Sequence, residues 1–200
     1  MDLRSPDEVA FPHPMARPET RVRAIALLTR PLPGPGADWS AVPDLPTAYR
    51  GFLTDGAERI VAVLAVVARA EGAVLVHCAA GKDRTGVTVA VLLRAAGVTR
   101  RAVVDDYLAT AAHMPAVRAR GRAVAGPADP THRQRLMGTP REAVVSVLDV
   151  LDAHPGGAPG WLRHHGARRS DVEGWRERIR AVGTHPTALG SALDPVTKGR

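Results

Sequence analysis

The residues best suited to chemistry in this 200-residue chain lie in one short stretch, V-L-V-H-C-A-A-G-K-D-R-T-G, residues 74–86. It contains the only cysteine, Cys78, and one of the two lysines, Lys82. A strand, a turn in which Gly81 and Gly86 permit tight curvature, and a buried helix direct unsatisfied backbone N–H groups at an anion. The stretch therefore predicts a site for a phosphate group.

Cys78, at the start of this turn, is predicted to be a nucleophile aimed at phosphorus. The helix N-terminus and Arg84 both favour the thiolate, and a guanidinium can hold two phosphoryl oxygens bidentately. Thr85 can donate a hydrogen bond to the sulfur when it leaves, and His77 can order the turn. We expect Cys78 and Arg84 to be catalytic and the phosphate to be bound by Ala79, Ala80, Gly81, Lys82, Asp83, Arg84 and Thr85.

Other chemistry for the same turn is less well supported. A lone cysteine is commonly a small buried hydrophobic residue, but that does not account for the arginine, threonine and glycines around it. A nucleotide-binding loop of the form G-x-x-x-x-G-K-[ST] is absent. A sulfurtransferase of the rhodanese type also uses a loop cysteine, but the Arg-Thr-Gly that follows after five residues argues against it.

The segment H-C-A-A-G-K-D-R-T-G, residues 77–86, resembles the active-site loop of the cysteine-dependent protein tyrosine phosphatase superfamily. Its Lys-Asp pair resembles the bacterial branch called tyrosine phosphatase family 3. Three further regions are similar to that family: residues 2–5 with Glu8, which resemble D-L-R-S…E; residues 103–120, which contain D-Y-L; and residues 160–179, which resemble Y-L-R-x-x-G.

The resemblance implies a protein tyrosine or dual-specificity phosphatase that needs no metal and no cofactor and forms a phosphocysteine on Cys78. Its substrate would be a phosphorylated protein or a phosphoinositide, because Lys82 and Asp83 are linked in this family to broad specificity that includes phosphoserine. Lys82 would add a flexible second cation. A solvated lysine, and an Asp83 that only fixes the loop, remain alternatives.

The general acid is the next residue to assign. Expulsion of the leaving oxygen needs a proton donor, and in the family an acid commonly follows the strand that matches residues 22–28. Here Asp38 and then Asp44 are the first acids after it. We predict Asp38, which lies in a loop rich in glycine and proline that suits a mobile donor. A surface aspartate is the alternative, and Asp83 is a second candidate for the acid.

The N-terminus also departs from the family, which usually carries a further segment with an N-F-R-D motif before D-L-R-S. Here Met1 directly precedes Asp2. Either the start is assigned too late, or one edge of the sheet is missing and the core is partly uncovered. The second possibility keeps open another function, a truncated and catalytically weak phosphate-binding module.

The alternation of apolar runs and helical patterns predicts an α/β fold with a small central, largely parallel sheet flanked by helices and a helical C-terminal half. Residues 22–28 and 73–77 are predicted strands, the second central and buried. We expect one phosphatase domain over residues 1–183 and a loose tail over 184–200.

Helix boundaries are predicted from caps and apolar spacing. Ile60, Val63, Leu64 and Val67 recur at helical spacing, and a buried helix over 85–96 is expected to stop at Gly97. Stretches rich in proline and glycine predict loops at 31–46, 121–140 and 155–160. Helix caps are expected at Asp55, Thr99, Thr139 and Ser170.

The net charge of +7 and the pI of about 10.8 favour anionic partners. No motif supports nucleic-acid binding, so we expect none. The basic segment 113–138 can be a substrate-guiding lid, a contact for anionic lipid or a solvated loop.

Composition also limits the compartment. One cysteine cannot form an internal disulfide, no apolar run is long enough to span a bilayer, and the first residues lack the pattern of a signal peptide. We expect a cytoplasmic protein without stable membrane insertion, with non-classical export left open. The oligomeric state has no signal in the sequence.

Overall fold

The computed structural model describes residues 1–9, 13–28, 44–122 and 137–183. Short 3-10 helices cover Pro6–Glu8 and Thr110–His113. The tail 184–200 lies outside the described residues. The α-helices of the described part are α1 (Leu45–Asp55), α2 (Ala57–Arg69), α3 (Asp83–Ala96), α4 (Arg100–Ala109), α5 (Met114–Arg122), α6 (Arg141–Ala153), α7 (Gly157–His164) and α8 (Arg169–Gly183).

The predicted central parallel sheet is wrong, because the described residues contain no β-strand. The predicted strands 22–28 and 73–77 do not pair with each other, and each is joined to the N-terminal residues only through an isolated bridge. Asp2 makes one parallel bridge to Ala24 and one to His77. Helices therefore dominate the architecture of the described chain from Leu45 onward and supply most of its buried apolar side chains.

Residues 1–5, which pair with both segments through Asp2, are too short a stretch to form a ladder with either of them. The backbone N–H of Leu3 donates to the carbonyl of His77 at 2.9 Å, and a few residues later the chain enters the 3-10 helix Pro6–Glu8. Proline has no N–H with which to extend a ladder. The predicted burial of residues 73–77 is also wrong, because none of these residues is buried and Leu75 is 62 % exposed.

Helix α3 is the centre of the molecule. It contacts α1, α2, α4, α6, α7 and α8 and buries most of its apolar side chains, among them Val87 and Val91. It ends at Gly97, whose φ of +93° lies in the left-handed region that favours glycine. This confirms the predicted stop. Trp175 of α8 fixes that helix against α3 by donating from Nε1 to the carbonyl of Leu92 at 2.7 Å.

The predicted caps are confirmed in one place and wrong in others. Thr99 caps α4, because its Oγ1 accepts from the N–H of Ala102 at 3.1 Å. Asp55 instead ends α1, and Gly56 precedes α2. Ser170 lies inside α8. The N-cap of α6 is Pro140 rather than Thr139.

Two predicted loops contain helix starts. The last residues of the predicted loop 31–46 begin α1, because Asp44 caps this helix by accepting from the N–H of Thr47 at 2.8 Å. The loop 155–160 contains the start of α7 at Gly157. Proline is tolerated in a first helical turn, so these prolines do not exclude a helix. Among the described residues, no helix is both long and apolar enough to cross a membrane.

Candidate active site

The turn singled out in the sequence connects the extended segment that ends at His77 to the first residue of α3, Asp83. Cys78 begins this turn; it is 7 % exposed and has a free thiol. Gly81 has a φ of +67°, which confirms the expected need for glycine there. The turn therefore places the cysteine and the N-terminus of a buried helix next to one another.

Arg84 lies in the first turn of α3 and is 3 % exposed. Both of its terminal nitrogens donate to the carboxylate of Glu8, Nη1 to Oε2 and Nη2 to Oε1, the latter at 2.6 Å. Burial alone would lower the pKa of Arg84, but Glu8, Cys78 and Asp83 together raise it. The guanidinium is thus charged and held in one orientation.

Glu8 is itself fixed by the short helix that carries it. The backbone N–H of Ser5 donates to Glu8 Oε2 at 2.9 Å, and the hydroxyl of Ser5 donates to the same oxygen. Burial alone would raise the pKa of Glu8, but the hydrogen bonds from Arg84 and Ser5 lower it to about 2. The carboxylate is therefore an ionised partner for Arg84 across the physiological range.

A buried polar network anchors the other side of the turn. The hydroxyl of Tyr49 donates to Asp83 Oδ1 at 2.9 Å and lies 2.9 Å from the hydroxyl of Tyr107. Since Tyr49 has one proton and gives it to Asp83, Tyr107 is the donor of the second bond. Burial raises the pKa of Tyr107 to about 12. The network connects α1 and α4 to the start of α3.

Lys82 belongs to the same network and is not a solvated lysine. Its side chain has 0 % exposure, and Nζ lies 3.0 Å from Asp83 Oδ1. Nζ also donates to the carbonyl of Gly138 at 2.8 Å. Arg118 of α5, in the basic segment, donates to the neighbouring carbonyl of Met137 at 3.1 Å. The bond from Lys82 ties the turn to the residues that lead into α6, and the bond from Arg118 ties α5 to the same residues.

Thr85 and Gly86 lie in the first turns of α3, and Gly86 lies close to Tyr107 of α4. The Oγ1 of Thr85 is buried and has no hydrogen-bond partner among the described residues. A Cβ on Gly86 would lie 3.1 Å from Cδ2 of Tyr107, so this glycine permits close helix approach, not the tight curvature predicted for it. Both residues line a cavity of about 60 Å³ between α3 and α4 that Asp106 also borders. Burial raises the pKa of Asp106.

The structure brings most of the predicted site residues into one place. Cys78 and residues 79–82 form the turn and residues 83–85 begin α3, whereas Asp38 lies outside the described residues. Glu8 and Tyr49 were not assigned individual roles from the sequence. The signal for Glu8 was the S-x-x-E spacing of a capping box; no comparable signal marks Tyr49.

One group among the described residues has the composition of a metal site. The side chains of Asp2, His13 and His77 bring one ligand atom each to within 4.8 Å of one another. The group lies beside the turn, next to Cys78, and contains no residue of the predicted phosphate-binding set.

Comparison with known proteins decides the family. Residues 1–181 match the sequence profile of the tyrosine phosphatase family. The chain belongs to the tyrosine phosphatase family. A tyrosine-protein phosphatase of Nostoc commune is 33 % identical over 125 residues, which are 59 % of this chain and 42 % of that protein.

A second relative is the triple specificity protein phosphatase PtpB of Mycobacterium tuberculosis (strain ATCC 25618 / H37Rv). It is 45 % identical over 73 residues, which are 36 % of this chain and 26 % of that protein. In both comparisons this chain of the tyrosine phosphatase family spans less than half of the relative's length.

Proposed function

We propose that this chain hydrolyses phosphate monoesters on proteins, phosphotyrosine first among them, through a phosphocysteine on Cys78. The observation that carries the proposal is the pair formed by a buried cysteine and a buried arginine six residues later, the arginine preoriented by Glu8. Membership of the tyrosine phosphatase family supports the same activity. The catalytic domain is residues 1–183.

In the first step the Cys78 thiolate attacks phosphorus; an S–P bond forms and the bond from phosphorus to the leaving oxygen breaks. A general acid, for which Asp38 is the candidate, gives its proton to that oxygen. In the second step water attacks phosphorus and gives a proton back to that acid, the S–P bond breaks, and the thiolate and inorganic phosphate are released. No metal takes part in either step.

The site residues have distinct parts in this scheme. The guanidinium of Arg84 holds two equatorial oxygens and stabilises the charge that spreads over them. The backbone N–H groups of residues 79–85 bind the same oxygens at the N-terminus of α3. Thr85 Oγ1, buried without a partner among the described residues, is available to donate to the sulfur as it leaves.

Phosphoserine proteins and phosphoinositides are the wider substrate class that we propose. The triple specificity named for the mycobacterial relative supports breadth of this kind. The contacts of Lys82 make it an anchor of the turn, so its ammonium would reach a second anionic group only after leaving Gly138 and Asp83.

The test is hydrolysis of p-nitrophenyl phosphate and of a phosphotyrosine peptide in the presence of EDTA. The wild-type chain is expected to turn over both substrates, Cys78→Ser neither, and Arg84→Lys at least about a hundredfold more slowly. Dependence on a divalent cation, or activity that survives Cys78→Ser, would overturn the proposal. Tight binding of the phosphopeptide without turnover would instead favour the catalytically weak phosphate-binding module.

A further inference from the structure

Two histidines, His13 and His77, contact each other beside the turn that contains Cys78. The Nε2 of His13 lies 2.7 Å from the Nε2 of His77, with the rings 4.8 Å apart. His77 directly precedes Cys78, while His13 follows the segment that carries Glu8. The proposed reaction assigns nothing to His13.

The contacts of the two Nδ1 atoms show which ring donates the hydrogen bond between the two Nε2 atoms. The backbone N–H of Met15 donates to His13 Nδ1 at 3.1 Å, so this nitrogen carries a lone pair and the proton of a neutral ring lies on Nε2. The Nδ1 of His77 lies 3.2 Å from the carbonyl oxygen of Cys78, which can only accept. His77 must therefore carry its proton on Nδ1 and accept at Nε2.

We propose that His13 is a positioning residue for the nucleophile, because its Nε2–H fixes the tautomer of His77 that donates to the Cys78 carbonyl. The three hydrogen bonds form one directed chain, from Met15 through both rings to the turn. With the opposite tautomer of His77, a bare Nδ1 would face the bare carbonyl oxygen. The carbonyl of Cys78 would then be free to turn, and the N–H groups that follow it would turn with it.

Asp2 does not replace this role. Its Oδ1 is 4.0 Å from His77 Nε2, and both carboxylate oxygens accept from Arg4 at distances of 2.7 to 3.1 Å. The two rings and Asp2 also have the donor types that Zn²⁺ binds. A metal ion held by both Nε2 atoms would need a lone pair on each of them, which would move the proton of His13 to Nδ1 and remove the bond from Met15. The hydrogen-bond chain satisfies every contact present, and the metal site does not.

The decisive measurement is the protonation of each ring nitrogen by long-range ¹H–¹⁵N NMR at about pH 8, where an unperturbed imidazole is neutral. Assignments come from His13→Gln and His77→Gln. We expect His77 to carry its proton on Nδ1 in the wild type and in His13→Gln, whose amide can still donate to Nε2. In His13→Ala the Nε2–H form of His77 should become populated. His164→Ala, which removes a histidine from another ring cluster, is the control.

The kinetic arm rests on the proposed phosphatase function. His13→Ala should lower kcat about two- to tenfold with little change in KM, the scale of one neutral hydrogen bond, and His13→Gln should restore it. A wild-type His77 protonated on Nε2, or a tautomer that His13→Ala leaves unchanged, would overturn the inference. So would stoichiometric Zn²⁺ that shifts the signals of both rings. An inactive wild type would refute only the proposed function, since the NMR result does not depend on turnover.

Discussion

The carboxylate of Glu8 forms a bidentate ion pair with the guanidinium of Arg84, 76 residues further along the chain. Arg84 has little freedom of its own, because it is almost fully buried in the first turn of α3. The pair therefore does two things: it neutralises a buried charge, and it leaves the guanidinium in one plane beside the turn that Cys78 begins.

Replacing Glu8 by glutamine should weaken catalysis more than folding. Glutamine keeps the size of the side chain but removes its charge, so Arg84 loses its fixed orientation. We expect kcat/KM for a phosphotyrosine peptide to fall about a hundredfold, the scale of a small misplacement at an active site. Steady-state kinetics with Glu71→Gln, a change at an exposed glutamate, provides the control. Equal losses in the two variants would contradict this role.

The same substitution predicts a pH-dependent stability difference. The folded-state pKa of Glu8 is about 2, below its ordinary value of 4.5. The carboxylate therefore contributes stability that is fully present above about pH 4.5 and is lost as the pH falls towards 2. We expect Glu8→Gln to cost on the order of 2 kcal/mol at pH 7, and this cost to shrink between pH 5 and 3. Urea unfolding at several pH values measures it; a cost that does not change with pH would refute it.

Tyr49→Phe should destabilise the protein more than Tyr107→Phe. Loss of the Tyr49 hydroxyl removes a donor from Asp83 and the acceptor of Tyr107, so two groups in the network are left short of a partner. Loss of the Tyr107 hydroxyl keeps the bond from Tyr49 to Asp83. We expect costs of about 1–3 kcal/mol and about 1 kcal/mol respectively, measured by chemical denaturation. The reverse order would contradict the assigned direction of the hydrogen bonds.

Gly86→Ala should destabilise the contact between α3 and α4. The added Cβ would meet the ring of Tyr107 at 3.1 to 3.2 Å, closer than ordinary packing allows. Overpacking of this kind costs about 1–3 kcal/mol. Gly51→Ala is the matched control, because it lies in α1 with nothing within 4 Å of the new Cβ. That change should be neutral or stabilising by up to about 1 kcal/mol. Thermal unfolding of both variants tests the difference, and a neutral Gly86→Ala would contradict it.

Asp38→Asn should slow substrates according to their leaving group. If Asp38 donates the proton, Asp38→Asn should slow the hydrolysis of a phosphotyrosine peptide about a hundredfold, because the tyrosine oxygen is a poor leaving group without a proton. The same substitution should hardly change the rate of hydrolysis of p-nitrophenyl phosphate, because its leaving group is already stable as an anion. Equal effects on the two substrates would remove Asp38 as the acid. Asp83→Asn, measured in the same way, tests the second candidate.

The sequence was most informative where a local pattern has one physical meaning. Gly81 and Gly97 were expected to provide turns and do so, and Thr99 caps α4 as predicted. The spacing of Cys78 in the turn and of Arg84 and Thr85 at the start of α3 is local as well, so their placement together needed no knowledge of the fold.

Contacts between distant segments were not available from such patterns. The apolar runs 22–28 and 73–77 indicated a sheet, but pairing depends on how far the partner segment extends, and Asp2 provides only isolated bridges. The burial of Lys82 depends in the same way on Gly138, 56 residues away. A charged residue in a turn is usually exposed, and only the tertiary structure shows that this one is not.

The most direct test of the account is to trap the covalent intermediate. A ³²P-labelled phosphotyrosine peptide is mixed with the protein in EDTA, the reaction is quenched in acid within milliseconds, and the labelled site is mapped by peptide digestion and mass spectrometry. The account predicts label on Cys78 that forms and decays at rates consistent with kcat and is absent from Cys78→Ser. Turnover without protein-bound phosphate, or label on any residue other than Cys78, would contradict it.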